Sequence, residues 1–220
     1  MTEAFPWKAR IRAILFDLDG VICFTDKLHY RAWKRLADRL DIPFDETVND
    51  RLRGVSRMAS LEIILERAGR AYTMEEKESF AAEKNEYYRK LLGTMSPADL
   101  SDEVRDTLPA LRERGYLLAI GSSSKNTKLI LQRIGLEDFF DAIADGTEIS
   151  RSKPDPEVFL LAAGKLGAAP EQCVVVEDAK AGIRAAKSGG MRALALGGDA
   201  AGCGLEDGDL RRFSDLLTLL

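Results

Sequence analysis

The sequence predicts an α/β protein: a Rossmann-like parallel sheet covered by helices, with an all-helical cap domain inserted into it. Three observations lead there. Short apolar runs of strand length recur along the chain. Helical periodicity fills the gaps between the later runs. The gap after the first run is roughly a hundred residues, far more than one crossover helix occupies.

The first run is AILF at residues 13–16, and it ends on Asp17, Leu18, Asp19 and Gly20. Two carboxylates that close repel each other and resist burial. A turn is one reason for such an ending, since Asp bonds its own backbone and Gly tolerates positive φ. A site that uses the charges is the other. Further apolar runs at 117–120, 142–144, 173–176 and 193–196 read as buried strands. Between them, Val104, Leu108 and Leu111, then Leu129, Ile130 and Ile134, then Phe159, Leu160 and Ala163 follow helical spacing.

The long gap reads as helix throughout. Trp33, Leu36, Ala37 and Leu40 share one helical face, as do Leu61, Ile64, Leu65 and Ala68. Residues 74–92 form a charged amphipathic pattern with Phe80, Tyr87 and Leu91. The expected division is a core domain at 1–25 and 94–220 and a cap domain at 26–93, with GTMSPADLSDEV as the return link.

Composition narrows the function class. The chain has 220 residues, 45% hydrophobic and 31% charged, with net charge −4. That is a globular balance, and it argues against a general nucleic-acid binder, which shows a basic face. Cys23, Cys173 and Cys203 are far apart and odd in number, which reads as reduced thiols. No secretory h-region and no membrane-length apolar run is present. The expectation is a cytoplasmic monomer whose partner is a small molecule, with no nucleic acid and no membrane.

In an open α/β sheet, ligands bind beyond the carboxyl ends of the strands. The first strand ends on Asp17 and Asp19, the second on Ser122, Ser123 and Ser124, and the fourth on Glu177 and Asp178; Lys153 follows the third in SRSKPDP. Carboxylates so gathered call for a hard divalent cation, and Mg²⁺ is the usual choice beside phosphate. Hydroxyls and free N–H groups where Lys125 and Asn126 open a helix suit a phosphate. Lys153 adds a point charge. These are the parts of a phosphoryl-transfer site in which a carboxylate can be the nucleophile. Taken singly, each has an ordinary reading: a helix N-cap for the serines, a surface lysine, a packed core residue for His29, solvated charges for Arg57 and Lys84.

Taken in order, DLDGV at Asp17, SSS at Ser122, KPDP at Lys153 and VVVEDAKAG with Glu177 and Asp178 resemble the haloacid dehalogenase superfamily of phosphotransferases. The resemblance implies that Asp17 is the nucleophile and that Asp17, the Asp19 backbone carbonyl and Asp178 ligate Mg²⁺, with Glu177 acting through water. It implies that Asp19, which the dehalogenases lack, is the general acid and base. It also implies a cis bond between Lys153 and Pro154. The segments LHYRAWKRLA, LRGVSRMASLEIIL, KNEYY, SPADL and SSSKN are similar to the superfamily's sugar-phosphate mutases. That similarity places His29 near the hinge and Asp19, Arg57 in an RGVSR turn on the distal phosphate, Lys84 on the substrate, and Ser122, Ser123 and Asn126 along the phosphate and sugar side. The implied reaction converts β-glucose 1-phosphate to glucose 6-phosphate through β-glucose 1,6-bisphosphate, with a small phosphorylated sugar as partner. A sugar-phosphate phosphatase on the same core is the alternative, and a non-enzymatic binding core the third reading. Phe24 stands where relatives commonly carry an acid.

Overall fold

The structure, a computed structural model, describes residues 7–52 and 55–220. The N-terminal six residues, and Arg53 and Gly54 of the RGVSR turn, lie outside the described residues. Six parallel strands form one sheet: β1 (Ala13–Phe16), β2 (Leu117–Gly121), β3 (Ala142–Ala144), β4 (Cys173–Glu177), β5 (Arg192–Leu196) and β6 (Gly208–Leu210). Their order is β3-β2-β1-β4-β5-β6. The chain winds outward from β1 on one side and then returns to its other side. The switch point, where such folds open a crevice, therefore lies where β1 and β4 end together, with Phe16 in register with Val176.

The strands read as unbroken apolar runs because both faces are buried. Alternate residues still go to different cores. Ile14, Phe16, Leu118 and Val174 join one cluster; Ala13, Leu15, Ala119 and Val175 join the other with Phe159 and Ile183. The helices that follow the later strands cover these faces: α5 (Asp102–Glu113) before β2, then α6 (Thr127–Ile134), α7 (Glu157–Leu166), α8 (Lys180–Ser188) and the short α9 (Leu216–Leu219). The sheet and its crossovers agree with the sequence expectation, with two corrections. β6 was not anticipated. It is an edge strand without an apolar run, held because Asp207 exchanges backbone and side-chain hydrogen bonds with Ala193. Leu160, expected on the buried face of α7, is 40% exposed instead; one residue past Phe159, it has turned off the apolar stripe.

Between β1 and β2 the regular elements are helical: α1 (Asp26–Arg39), α2 (Glu46–Asp50), α3 (Arg57–Leu65) and α4 (Met74–Leu92), with a short 3-10 turn at Pro97–Asp99 before α5. Asp45 and Ser56 cap α2 and α3, and a Thr73–Glu76 capping box starts α4. Trp33, Leu36, Phe44, Leu61, Ile64 and Phe80 build a hydrophobic cluster of their own here. Leu40 is only partly buried, at the end of α1, and Ala68 lies beyond α3. Ala32, Tyr88, Leu91 and Leu92 pack into the sheet's cluster, so the feet of α1 and α4 stand on the core. Among the described residues, no helix is long and apolar enough to cross a membrane, and the three cysteines are free.

Candidate active site

The carboxyl ends of β1 and β4 bring Asp17, Glu177 and Asp178 together, each offering an oxygen within 4.8 Å of the others. Two glycines permit this crowding. Gly20 has φ +91°, and a Cβ on it would run into the Asp178 carboxylate; a Cβ on Gly182 would run into Glu177. Lys153 reaches in from the loop after β3. Its Nζ donates to Asp17 Oδ1 and to Glu177 Oε1, each at 2.5 Å, and lies 4.6 Å from the Phe159 ring centroid. The Lys153–Pro154 bond is cis.

One lysine does not neutralise this rim. Burial opposes the Lys153 ammonium, but the charges of Asp17 and Glu177 outweigh it and lift its pKa above the usual lysine range. Burial pushes Glu177 up, against the opposing charge of Lys153. Burial, then the charges of Asp17 and Glu177, push Asp178 to about 8, and Lys153 pulls it down only weakly. An all-oxygen set of clustered carboxylates with an uncompensated member fits a hard divalent cation.

Asp19 sits two residues beyond Asp17. Its Oδ1 accepts from the Thr25 hydroxyl. Burial, followed by the Asp17 charge, raises its pKa to about 7, with the Thr25 bond pulling the other way. A carboxyl near 7 can both take and give a proton at neutral pH.

The end of β2 supplies polar groups of another kind. Ser122 is buried, and its Oγ accepts from Ser124 N at 3.1 Å. Ser123 Oγ is buried and, among the described residues, has no hydrogen-bond partner. A buried unsatisfied hydroxyl calls for an explanation, and a ligand oxygen supplies one. Asn126 is the last residue before α6 and is buried, its side chain making no capping bond.

Across the cavity stands a cationic wall. Lys84 of α4 is only 3% exposed. Its Nζ lies 2.9 Å from His29 Nδ1, 4.6 Å from the Trp33 ring centroid and 4.5 Å from that of Tyr88. Burial, and then the Arg57 charge, lower it to about 7. The same burial, with Lys84 and Arg57 nearby, drives His29 well below its ordinary value. A neutral His29 can accept from the Lys84 ammonium through Nδ1. Arg57, half-buried, begins α3, and burial lowers its pKa too. One cavity of about 990 Å³ is lined by Asp17, Asp19, Glu177, Asp178, Ser122, Ser123, Asn126 and Lys153 from the sheet side, and by His29, Arg57 and Lys84 from the helices.

All eleven sequence-selected residues therefore line one cavity. Phe24 does not; it is 70% exposed at the start of the helical segment. Sequence reasoning missed Thr25, Ser60, Asn85 and Tyr88. Ser60 and Tyr88 are buried, and both line the cavity with the half-buried Asn85. Ser60 and Tyr88 could have been found as polar groups on otherwise apolar helix faces; Thr25 carries no such signal.

A family model for haloacid dehalogenase-like hydrolases matches residues 11–190. The chain is 43% identical over 189 residues to a β-phosphoglucomutase of Bacillus subtilis, spanning 85% of this chain and 84% of that protein. It is 32% identical over 187 residues to a phosphorylated carbohydrates phosphatase of Thermotoga maritima, spanning 84% of each. The crystal structure of a β-phosphoglucomutase from Clostridium difficile superposes with a TM-score of 0.87 at 36% identity, covering 94% of this chain and 93% of that one. With a parallel sheet of the same kind and the four motifs at its strand ends, the chain belongs to the haloacid dehalogenase-like hydrolase family and is an enzyme of it.

Proposed function

We propose that this enzyme isomerises β-glucose 1-phosphate to glucose 6-phosphate through an aspartyl-phosphate on Asp17 and β-glucose 1,6-bisphosphate. The observation that carries the reading is the two-sided cavity: a carboxylate and serine floor faces a roof bearing Arg57 and Lys84. Both half-reactions use one floor, so the bisphosphate has to bind in two opposite orientations. The phosphate that is not reacting then needs a seat of its own, and Arg57 can grip it with two parallel hydrogen bonds.

Phosphorylated Asp17 gives its phosphoryl group to the 6-hydroxyl of β-glucose 1-phosphate, and Asp19 takes the hydroxyl proton. The bisphosphate turns around. Asp17 then attacks the 1-phosphoryl group, and Asp19 returns a proton to the departing sugar oxygen. Glucose 6-phosphate leaves and phosphorylated Asp17 is restored. Ser122 and Ser123 hold the reacting phosphate, Lys153 keeps Asp17 oriented, and Lys84 meets the sugar. Asp17, Asp178 and the Asp19 carbonyl would hold Mg²⁺, with Glu177 in support; the ion would neutralise charge on the phosphoryl oxygens. Residues 26–93 act as a cap over a core of 1–25 and 94–220, and its closure excludes water that would hydrolyse the aspartyl-phosphate.

A sugar-phosphate phosphatase is the second reading, favoured by the similarity to the Thermotoga maritima phosphatase. The two separate in one assay. With β-glucose 1-phosphate, Mg²⁺ and a trace of the bisphosphate, glucose 6-phosphate should accumulate with little free phosphate. Phosphate release without isomerisation would establish the hydrolase instead.

A further inference from the structure

The side-chain amide of Asn126 is engaged by the helix opposite. Its Nδ2 donates to Asn85 Oδ1 at 2.9 Å, and its Oδ1 accepts from Arg89 at 3.4 Å. Asn85 and Arg89 are four residues apart on α4 and so share one face of it. On the other side, Asn126 N donates to Ser124 Oγ at 3.2 Å, and Ser124 N to Ser122 Oγ at 3.1 Å. A chain of hydrogen bonds thus runs from α4, through Asn126, to the serine turn beside Asp17. Asn85 and Asn126 both line the cavity, and Asn126 is 4% exposed.

An amide nitrogen has two protons to donate. Asn85 takes one and leaves the second for a ligand oxygen. Asn126 can therefore bind substrate and hold α4 at once. We propose that Asn85 is a positioning residue that ties α4 to the phosphate side of the sheet, so that the sugar's seat and the closure over Asp17 form in one movement. The inference rests on the mutase reading above and deepens it: Asn85 decides whether a sugar hydroxyl or water reaches the phosphorylated aspartate. Without it, the Asn126 side chain keeps only the longer Arg89 bond to α4, and the tie over the phosphate side loosens.

The test uses the full chain with Asn85→Ala and Asn85→Asp. Aspartate keeps an oxygen that accepts from Asn126 Nδ2, so it is the rescue variant. Each protein is loaded with acetyl phosphate and Mg²⁺, without sugar, and the decay of the phosphoenzyme is followed. Amide exchange is read over 84–92 and 122–130. The alanine variant should lose phosphoenzyme about two- to tenfold faster, the scale of one neutral hydrogen bond. Exchange should rise in both segments, and the aspartate variant should match the parent in both readouts. An unchanged lifetime in the alanine variant overturns the proposal, even if exchange rises, because Asn85 would then only support the fold. If the parent itself accumulates no phosphoenzyme, the mutase reading fails separately, and exchange decides: a rise in both segments, reversed by aspartate, upholds the tie, and no rise overturns it.

Discussion

Thr25 and Asp19 are joined by a hydrogen bond in which the Thr25 hydroxyl donates to Asp19 Oδ1. Thr25 is fully buried and is the last residue before α1. The carboxyl assigned to proton transfer is thus anchored at the point where the chain leaves the sheet for the helices.

The two aspartates of β1 should separate by role. Asp17→Ala abolishes turnover and leaves no phosphoenzyme after acetyl phosphate treatment. Asp19→Ala still forms the phosphoenzyme and lowers the sugar reaction by roughly 10²- to 10⁴-fold, the usual share of a general acid–base group. Steady-state rates together with acid-quenched phosphoenzyme counts check both.

Stabilisation by Mg²⁺ should grow as pH rises. Asp19 and Asp178 have folded-state pKa values raised to about 7 and about 8. A carboxyl raised in this way lends stability below its unfolded pKa and loses it as pH rises through the folded value. The metal-free protein should therefore weaken between about pH 4 and pH 8, as the rim becomes ionised. The cation competes with those protons and offsets that loss. Thermal unfolding with and without Mg²⁺ should show a larger gain in Tm at pH 8 than at pH 5.5, and an equal gain at both would contradict the site.

Much of this was legible in the sequence because parallel strands buried on both faces leave short, unbroken apolar runs, and their ends carry the chemistry. Asp17, Glu177 and Asp178 can be grouped from the strand ends alone, and the structure clusters their carboxylates. β6 could not, because an edge strand paired only to β5 needs no apolar run. Lys84 was readable as either a solvated charge or a ligand; only packing of α4 on α1 reveals that it is sealed among Trp33, Tyr88 and His29. The Asn85–Asn126 bond joins residues 41 apart in sequence, and no local pattern records it.

Lys84 makes a stability cost visible. Its folded pKa, about 7, lies below the ordinary lysine value of 10.5. A lysine depressed in this way destabilises the fold while it is charged in both states. The cost is full below about pH 7 and disappears as pH rises toward 10.5. Lys84→Met should raise stability at pH 7 by about 1 to 4 kcal/mol, as when a buried charge gives way to an apolar group. The gain should shrink as pH approaches 10, and sugar-phosphate turnover should fall. Denaturant titrations at the two pH values check the sign.

Arg57 should separate the two half-sites. Arg57→Ala should weaken glucose 6-phosphate formation far more than phosphate release from acetyl phosphate. Loss of one charged hydrogen-bond partner costs roughly 1.5 to 3 kcal/mol, or about one to two decades in rate. Equal losses in the two assays would make Arg57 a support for the helices and nothing more.

The destination of the phosphoryl group tests the mutase most directly. Unlabelled phosphoenzyme is mixed with an equal amount of β-glucose 1-phosphate carrying a radiolabelled phosphate, and one turnover is quenched. If the 6-phosphate comes from Asp17 and the 1-phosphate returns to it, the glucose 6-phosphate is unlabelled and the label lies on Asp17. Label in the glucose 6-phosphate would show direct migration within one sugar, labelled free phosphate without glucose 6-phosphate would show hydrolysis, and either result would contradict the phosphoenzyme route.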